Sequence, residues 1–155
     1  MNFVHYSEHP VTVVRSMRGT AAFKPRGLWV SDEDDRYSWR WWCEKNKYHL
    51  ERFSFAYDVF LSPKAKILTV SSVDGLGDFT SCYGYDLEKY GVTYRLIDWS
   101  KVRKEFQGIL LVLDIWEDRM ISERAFGGRE WYSHWDCNGG VIWHAKAIKS
   151  ISLRP

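Results

Sequence analysis

Residues 109–115, ILLVLDI, restrict this chain more than any other stretch. A nearly continuous apolar run of strand length is the pattern of a strand buried on both sides. Around it the sequence reads as many short strands with two or three helices. Residues 2–7 alternate loosely and are strand-like, and Pro10 ends them because proline cannot donate to a sheet ladder. Residues 11–17 read as a second short strand or a helical turn. Residues 53–61 (FSFAYDVFL) and 66–71 (KILTVS) predict two neighbouring strands joined by a short loop through Ser62-Pro63-Lys64. Residues 74–90 are broken by glycine and predict an irregular helix. Residues 98–106 predict a helix capped by Asp98, with Val102 and Phe106 on one face and Gln107-Gly108 closing it. Residues 117–129 are polar and end in Phe126-Gly127-Gly128-Arg129, the composition of an exposed loop. Residues 131–137, 141–144 and 148–153 give three more short strand-like pieces. The fold class that follows is α+β, in one domain spanning residues 1–155.

A second segment, residues 24–43 (KPRGLWVSDEDDRYSWRWWC), has a local logic of its own. Pro25 and Gly27 make a turn, and Leu28-Trp29-Val30 is a short β-type run. Ser31 and the acids at 32–35 predict the start of a helix running to about Lys47, since acids favour the positive end of a helix. That helix carries Tyr37, Trp39, Trp41 and Trp42, four rings within six residues. An ordinary amphipathic helix buries only about three to four positions per two turns. Some of these rings are therefore expected to line a wet or ligand-filled cleft.

The totals agree with a folded domain and remove several functions. The chain is 45% apolar and 27% charged, but aromatic residues reach 17% with nine Trp and nine Tyr. Such a surplus suits a core built from rings, a stacking pocket for a planar ligand, or both. A net charge of +2 without a basic run argues against a nucleic-acid partner. Cys43, Cys82 and Cys137 have no paired spacing, which favours a reducing compartment over a disulfide framework. The start MNFVHYSEHP lacks the charged-then-apolar order of a signal peptide, and no apolar run nears the ~18 residues of a membrane span. A cytoplasmic, monomeric domain is the expectation.

Three constellations of reactive side chains stand out. His5, His9, Cys43, His49, His134, Cys137 and His144 could ligate a metal, but only His5 and His9 have a close ligand spacing. Pro10 and the strand-like context remove the helix that spacing would need. Cys137 with His134 or His144 would make a nucleophilic pair, although single cysteines are more often inert. The third set is dispersed: His5 in VHYS, Trp29 in GLWVS, and Asp136 in WDCNGGVIW.

In this third set the chain resembles the ADP-ribosyltransferase fold, in its diphtheria-toxin and poly-ADP-ribose-polymerase branch. That branch places a His on its first strand, an aromatic within a G-[IL]-[YFW]-[FV]-[AS] strand, and an acid on a late strand. Gly27-Leu28-Trp29-Val30-Ser31 looks like the middle motif, with Trp29 where Tyr is usual. His5-Tyr6-Ser7-Glu8-His9-Pro10 is similar to the opening of the small phage-borne anti-CRISPR ADP-ribosyltransferases, which also use a late Asp. The resemblance is confined to the start, to the region of residue 30 and to that of residue 136. The expected Glu is one carbon shorter here, which keeps Glu130 in view as a second candidate acid.

The resemblance implies a split β-sandwich of short, mostly antiparallel strands, with NAD as co-substrate and mono-ADP-ribosylation of a macromolecule, a host protein, as the activity. A phage counter-defence or toxin role comes with it, in the host cytoplasm. Cleaving the nicotinamide–ribose bond passes through an oxocarbenium-like state that an adjacent carboxylate stabilises, the role given to Asp136. Trp29 and Trp41 or Trp42 would sandwich the nicotinamide, and His5 would bind the ribose hydroxyls. Tyr6, Ser7, Gly27, Leu28, Ser31 and Ser38 complete the cofactor-binding candidates. Arg129, Glu130 and His134 are candidates for acceptor recognition. NAD hydrolysis with water as acceptor is a variant of the same chemistry. The competing class is a non-enzymatic interaction module whose aromatic cleft grips a protein partner or single-stranded nucleic acid.

Overall fold

The structure, a computed structural model, describes residues 1–21, 23–117 and 129–155. At its centre strand β9 (Gly108–Leu111) lies between β10 (Gly139–Ile142), antiparallel to it, and β6 (Ile67–Val70), parallel to it. All four β9 residues are buried. Ile109 and Leu111 enter one apolar cluster while Leu110 enters the other, so β9 is covered on both faces as its composition requires. The strand is shorter than the apolar run; residues 112–115 leave the sheet.

The sheet continues from β10 to β4 (Leu28–Asp32), β1 (Phe3–Ser7), β5 (Phe55–Leu61) and β11 (Ile148–Leu153), giving seven strands in the order β11-β5-β1-β4-β10-β9-β6. Among the described residues three α-helices accompany it: α1 (Trp39–Lys45), α2 (Val73–Tyr83) and α3 (Trp99–Glu105). The architecture is α+β with a curled, mostly antiparallel sheet. One face packs on a ring-rich cluster that includes Phe79, Trp99, Trp131, Trp135 and Trp143. The opposite face holds Val30, Val59, Leu110, Ile142 and Ala147.

Several local expectations need correction. The helix after the GLWVS motif does not open at Ser31. Strand β4 runs on to Asp32, the acids form turns, and α1 begins only after Ser38, whose hydroxyl accepts the Trp41 N–H at 3.3 Å. Asp32 itself accepts the Asn2 N–H at 2.9 Å, which keeps that acid in the sheet. Residues 11–17 adopt no regular structure; they are tethered by Val11 N–H to the Tyr57 hydroxyl (2.9 Å) and by Met17 N–H to the Trp143 carbonyl (2.9 Å). β5 and β6 are not neighbours. The sheet curls so that both pack on the cluster around Leu110 and Ile142, and the short link 62–66 then joins strands far apart in the order. Residues 131–134 form a 3-10 turn rather than a strand. Residues 74–90 divide into a regular α2 and the first arm of a hairpin, β7 (Gly84–Lys89) with β8 (Val92–Ile97). Tyr90 (φ 53°) and Gly91 (φ 73°) turn that hairpin, the positive-φ pair that matches strand twist. The loop expected at residues 117–129 lies mostly outside the described residues.

β4 is shared in a way that matters for function. Leu28, Trp29 and Val30 pair with β10, whereas Ser31 and Asp32 pair with Val4 and Phe3 of β1. Past Val4, β1 parts from β4 and continues beside β5. Each half of β4 thus has a sheet partner on one side only, and a hollow opens where β1 leaves.

Candidate active site

That hollow is a cleft of about 500 Å³ lined by both sides of the parting strands, His5 and Tyr6 from β1 and Gly27, Trp29, Val30 and Ser31 from the β4 side. Asp136 closes it from the approach to β10, and Lys24 and Arg26 close it from the short hairpin β2 (Thr20–Ala21) and β3 (Lys24–Pro25). Three residues drawn from the first strand, the fourth and the late segment therefore share one wall-to-wall space.

His5 does what the missing strand partner would do. Its Nδ1 lies 2.7 Å from the Trp29 carbonyl oxygen. A carbonyl only accepts, so Nδ1 carries the proton and Nε2 is left as an acceptor. Burial pushes the imidazole below its ordinary pKa, partly offset by the Trp29 carbonyl, so the ring favours its neutral form.

Trp29 is half-buried and meets Trp135 edge-on, with centroids 4.9 Å apart at 62°. The Lys24 ammonium sits 5.2 Å from the Trp29 ring centroid, a cation held over an indole. Burial raises the Asp136 carboxyl above the usual carboxylate range, and the positive charges of Lys24 and His134 oppose that rise. Two residues beyond Asp136, Asn138 is a buried hub. Asn138 Nδ2 donates to Asp35 (2.9 Å), while its Oδ1 accepts from Leu113 N–H and Trp116 Nε1 (2.7 Å each).

A second group of rings lines the same cleft. Trp39 and Phe53 line it, 6.3 Å apart at 72°, and Trp39 is stacked on Trp42 at 4.8 Å and 9°. The Tyr6 ring reaches the same place, its hydroxyl donating to Glu33 and accepting from Arg40; burial and Glu33 push that phenol up to about 12.

Other candidates fall elsewhere. Ser31 lines the cleft, but its hydroxyl donates to the Asn138 carbonyl (3.1 Å) and accepts the Trp39 N–H (2.8 Å). Ser38 is spent on its helix cap, and Ser7 donates to the His9 carbonyl at 2.5 Å. Leu28 points to the opposite face of the sheet, as strand alternation dictates for the neighbour of Trp29. Of the helix rings, Trp39 reaches the cleft rather than Trp41 or Trp42; Trp41 instead meets Tyr37 edge-on. Gly27 is needed for close approach: a Cβ there would lie 2.5 Å from the Ile142 carbonyl oxygen. Glu130 does not line the cleft. Its backbone bridges Arg95 on β8, and Arg129 accepts the Arg95 N–H at 2.7 Å. His134 lies near Phe23, ring centroids 6.0 Å apart.

The cysteine reading loses support. Cys137 lines the cleft but is buried, and burial beside Asp136 drives its thiol far up, the reverse of an activated nucleophile. His144 accepts the Lys146 N–H at 3.3 Å and caps a 3-10 turn. Among the described residues no group of three or more His, Cys, Asp or Glu side chains gathers for a metal. All three cysteines are free.

Lys24, Arg26, Phe53, Trp135 and Asn138 escaped the sequence reading. Only Lys24 and Arg26 carried a signal, two cations flanking Pro25 immediately before the GLWVS motif. Comparison of the chain with protein-family models, with curated proteins and with solved structures returned no match.

Proposed function

We propose that this chain is an NAD-dependent mono-ADP-ribosyltransferase, with an ADP-ribosyltransferase-like split sheet and a macromolecular acceptor. One observation carries the proposal: His5, Trp29 and Asp136, far apart in sequence, line a single cleft of about 500 Å³. The volume lies inside the range of roughly 300–1,000 Å³ common for ligand sites. The shared strand β4 supports the fold, because it sets the His-bearing and aromatic-bearing strands side by side with the acid approaching from β10.

NAD suits the chemistry of these groups. The Trp29 indole offers a π surface that already attracts a cation, and the nicotinamide of NAD is a cationic ring. The acceptor nitrogen of His5 can take a hydrogen bond from a ribose hydroxyl, its orientation locked by the Trp29 carbonyl. In transfer, the bond between ribose C1′ and the nicotinamide nitrogen breaks and its electron pair neutralises the ring. The acceptor's nucleophile bonds to C1′ and releases its proton. Asp136, ionised, stabilises the positive charge that builds on the ribose between those events, and the half-buried site strengthens that interaction. Three free thiols fit the cytoplasmic setting that this activity would have, and no helix among the described residues is long and apolar enough to cross a membrane.

Incubation with NAD labelled in the adenylate moiety, with and without a cell lysate, tests the proposal. Wild type is expected to release nicotinamide and label a macromolecule, and Asp136→Asn to do neither while retaining its near-UV spectrum. Unchanged turnover in Asp136→Asn removes Asp136 from the chemistry. Release without labelling would indicate water as the acceptor. The stacked Trp39 and Trp42, with Tyr48 5.6 Å from Trp42, favour a second reading as an aromatic binding surface. Tryptophan quenching by a short oligonucleotide and not by NAD would support that reading instead.

A further inference from the structure

The β2–β3 hairpin places two cations where the transferase chemistry makes no use of them. Lys24 and Arg26 stand on either side of buried Pro25, and both line the cleft. Among the described residues neither is ion-paired. Lys24 instead rests over Trp29, half-buried, within electrostatic reach of Asp136. A half-buried ammonium that feels Asp136 only at a distance, without a close ion pair, gains from an anion that a ligand supplies.

The hairpin is also held rigidly. Arg103 on α3 donates to the Gly19 carbonyl (2.7 Å) and the Arg26 carbonyl (3.4 Å), and its guanidinium lies 5.6 Å from the Trp143 ring centroid. Trp99 Nε1 donates to the Phe23 carbonyl at 3.1 Å, and Arg26 N–H to the Gly19 carbonyl at 3.1 Å. Arg103 has one orphan, its Nε, which is buried without a partner. These contacts fix the backbone on both sides of the two cations before any ligand arrives, which lowers the cost of ordering them on binding.

We infer that Lys24 and Arg26 form the subsite for the diphosphate of a dinucleotide. The inference rests on the proposed function for the dinucleotide and adds the part of it that the hairpin recognises. Charge complementarity carries it. Among the described residues the cleft presents one carboxylate, Asp136, and two cations, with His5 favouring neutrality; NAD presents one cationic ring and a doubly charged diphosphate. In the free chain the Lys24 ammonium occupies the cation position over Trp29. When the nicotinamide takes that position, the ammonium swings to the phosphates, where Arg26 from the exposed rim completes the clamp.

Calorimetric titration with two fragments tests this: ADP-ribose, which keeps the diphosphate, and nicotinamide riboside, which lacks it. Lys24→Met and Arg26→Gln are each expected to weaken ADP-ribose by about 10- to 100-fold, the range for a lost charge-assisted hydrogen bond. Both variants should flatten the salt dependence of ADP-ribose binding and leave nicotinamide riboside no weaker than in wild type. Lys24→Arg, which keeps the charge, should retain ADP-ribose binding and guards against a merely structural loss in Lys24→Met. Equal affinity of wild type and both variants for ADP-ribose overturns the subsite, as does an equal loss for both fragments or no ADP-ribose binding by wild type. Nicotinamide release by a wild type whose variants bind ADP-ribose normally leaves the transferase standing and removes the subsite alone. ADP-ribose binding that depends on Lys24, in a chain that never cleaves NAD, keeps the subsite and removes the transferase.

Discussion

Replacing Ser31 by alanine separates a structural hydroxyl from a ligand-binding one. Ser31 lines the cleft, and its place in the GLWVS motif suggests contact with NAD. In the structure, however, its Oγ donates to the Asn138 carbonyl at 3.1 Å and accepts the Trp39 N–H at 2.8 Å, with the residue only 4% exposed. One atom thereby ties β4 to the approach of β10 and to the first turn of α1. Each net hydrogen bond is worth roughly 0.5–1.5 kcal/mol, and stranding a buried partner costs about 1–3 kcal/mol. Two such bonds put Ser31→Ala at about 2–3 kcal/mol of lost stability. For a domain of this size each kcal/mol moves the midpoint by roughly 2–4 °C, so Tm should fall by about 4–12 °C. Ser38→Ala is the comparison. It loses one cap at 3.3 Å and should cost only about 0.5–2 kcal/mol. Calorimetric unfolding gives the Tm values, and tryptophan fluorescence with added NAD gives affinity for the folded variants. Expected are a large drop in Tm for Ser31→Ala and little change in affinity below its melting range. A variant that melts like wild type yet binds NAD much more weakly would refute the structural assignment.

Three further outcomes follow from the same geometry. Burial raises the Asp136 carboxyl in the folded chain, so the folded state holds that proton more tightly than the unfolded state does. Stability from this group is therefore present at low pH and lost as pH rises through the ordinary and then the raised carboxyl pKa. Asp136→Asn should unfold at a higher temperature than wild type at neutral pH, the difference vanishing in acid, while NAD cleavage by wild type falls as acid protonates the same carboxyl. Gly140→Ala should abolish soluble folding, because its Cβ would lie 1.9 Å from the Ile109 carbonyl oxygen, whereas Gly77→Ala in α2 meets nothing within 4 Å and should stabilise by up to about 1 kcal/mol in urea unfolding. With a thiol reagent, exposed Cys82 should react at once and buried Cys43 and Cys137 only after denaturation, burial raising the Cys43 thiol to about 11; three fast thiols would contradict the packing.

Legibility in the sequence followed how local each cause was. Asp98 and α3 were readable because a cap and an i, i+4 pair act within one turn. β11 spans the strand-like stretch read from the sequence to the residue, Ile148–Leu153. The β7–β8 hairpin was missed because its turn uses Tyr90 at a positive φ, where Asn or Asp is the usual signal. Acids after Ser31 suit a helix start and so predict α1 too early, while the partner that keeps Asp32 in the sheet, Asn2, is thirty residues away.

For the candidate site the division is the same. The sequence alone determined that the core strand at Ile109–Leu111 would be covered on both faces, and it singled out His5, Trp29 and Asp136 as chemistry in search of a common place. Only the tertiary structure decided that these three would line one cleft, that Trp39 and not Trp41 or Trp42 would join them, and that Lys24 would hold a cation over Trp29. The physical reason is that a side chain's face is written in the period of its own strand or helix, whereas the parting of β1 from β4 depends on long-range pairings that no local stretch encodes.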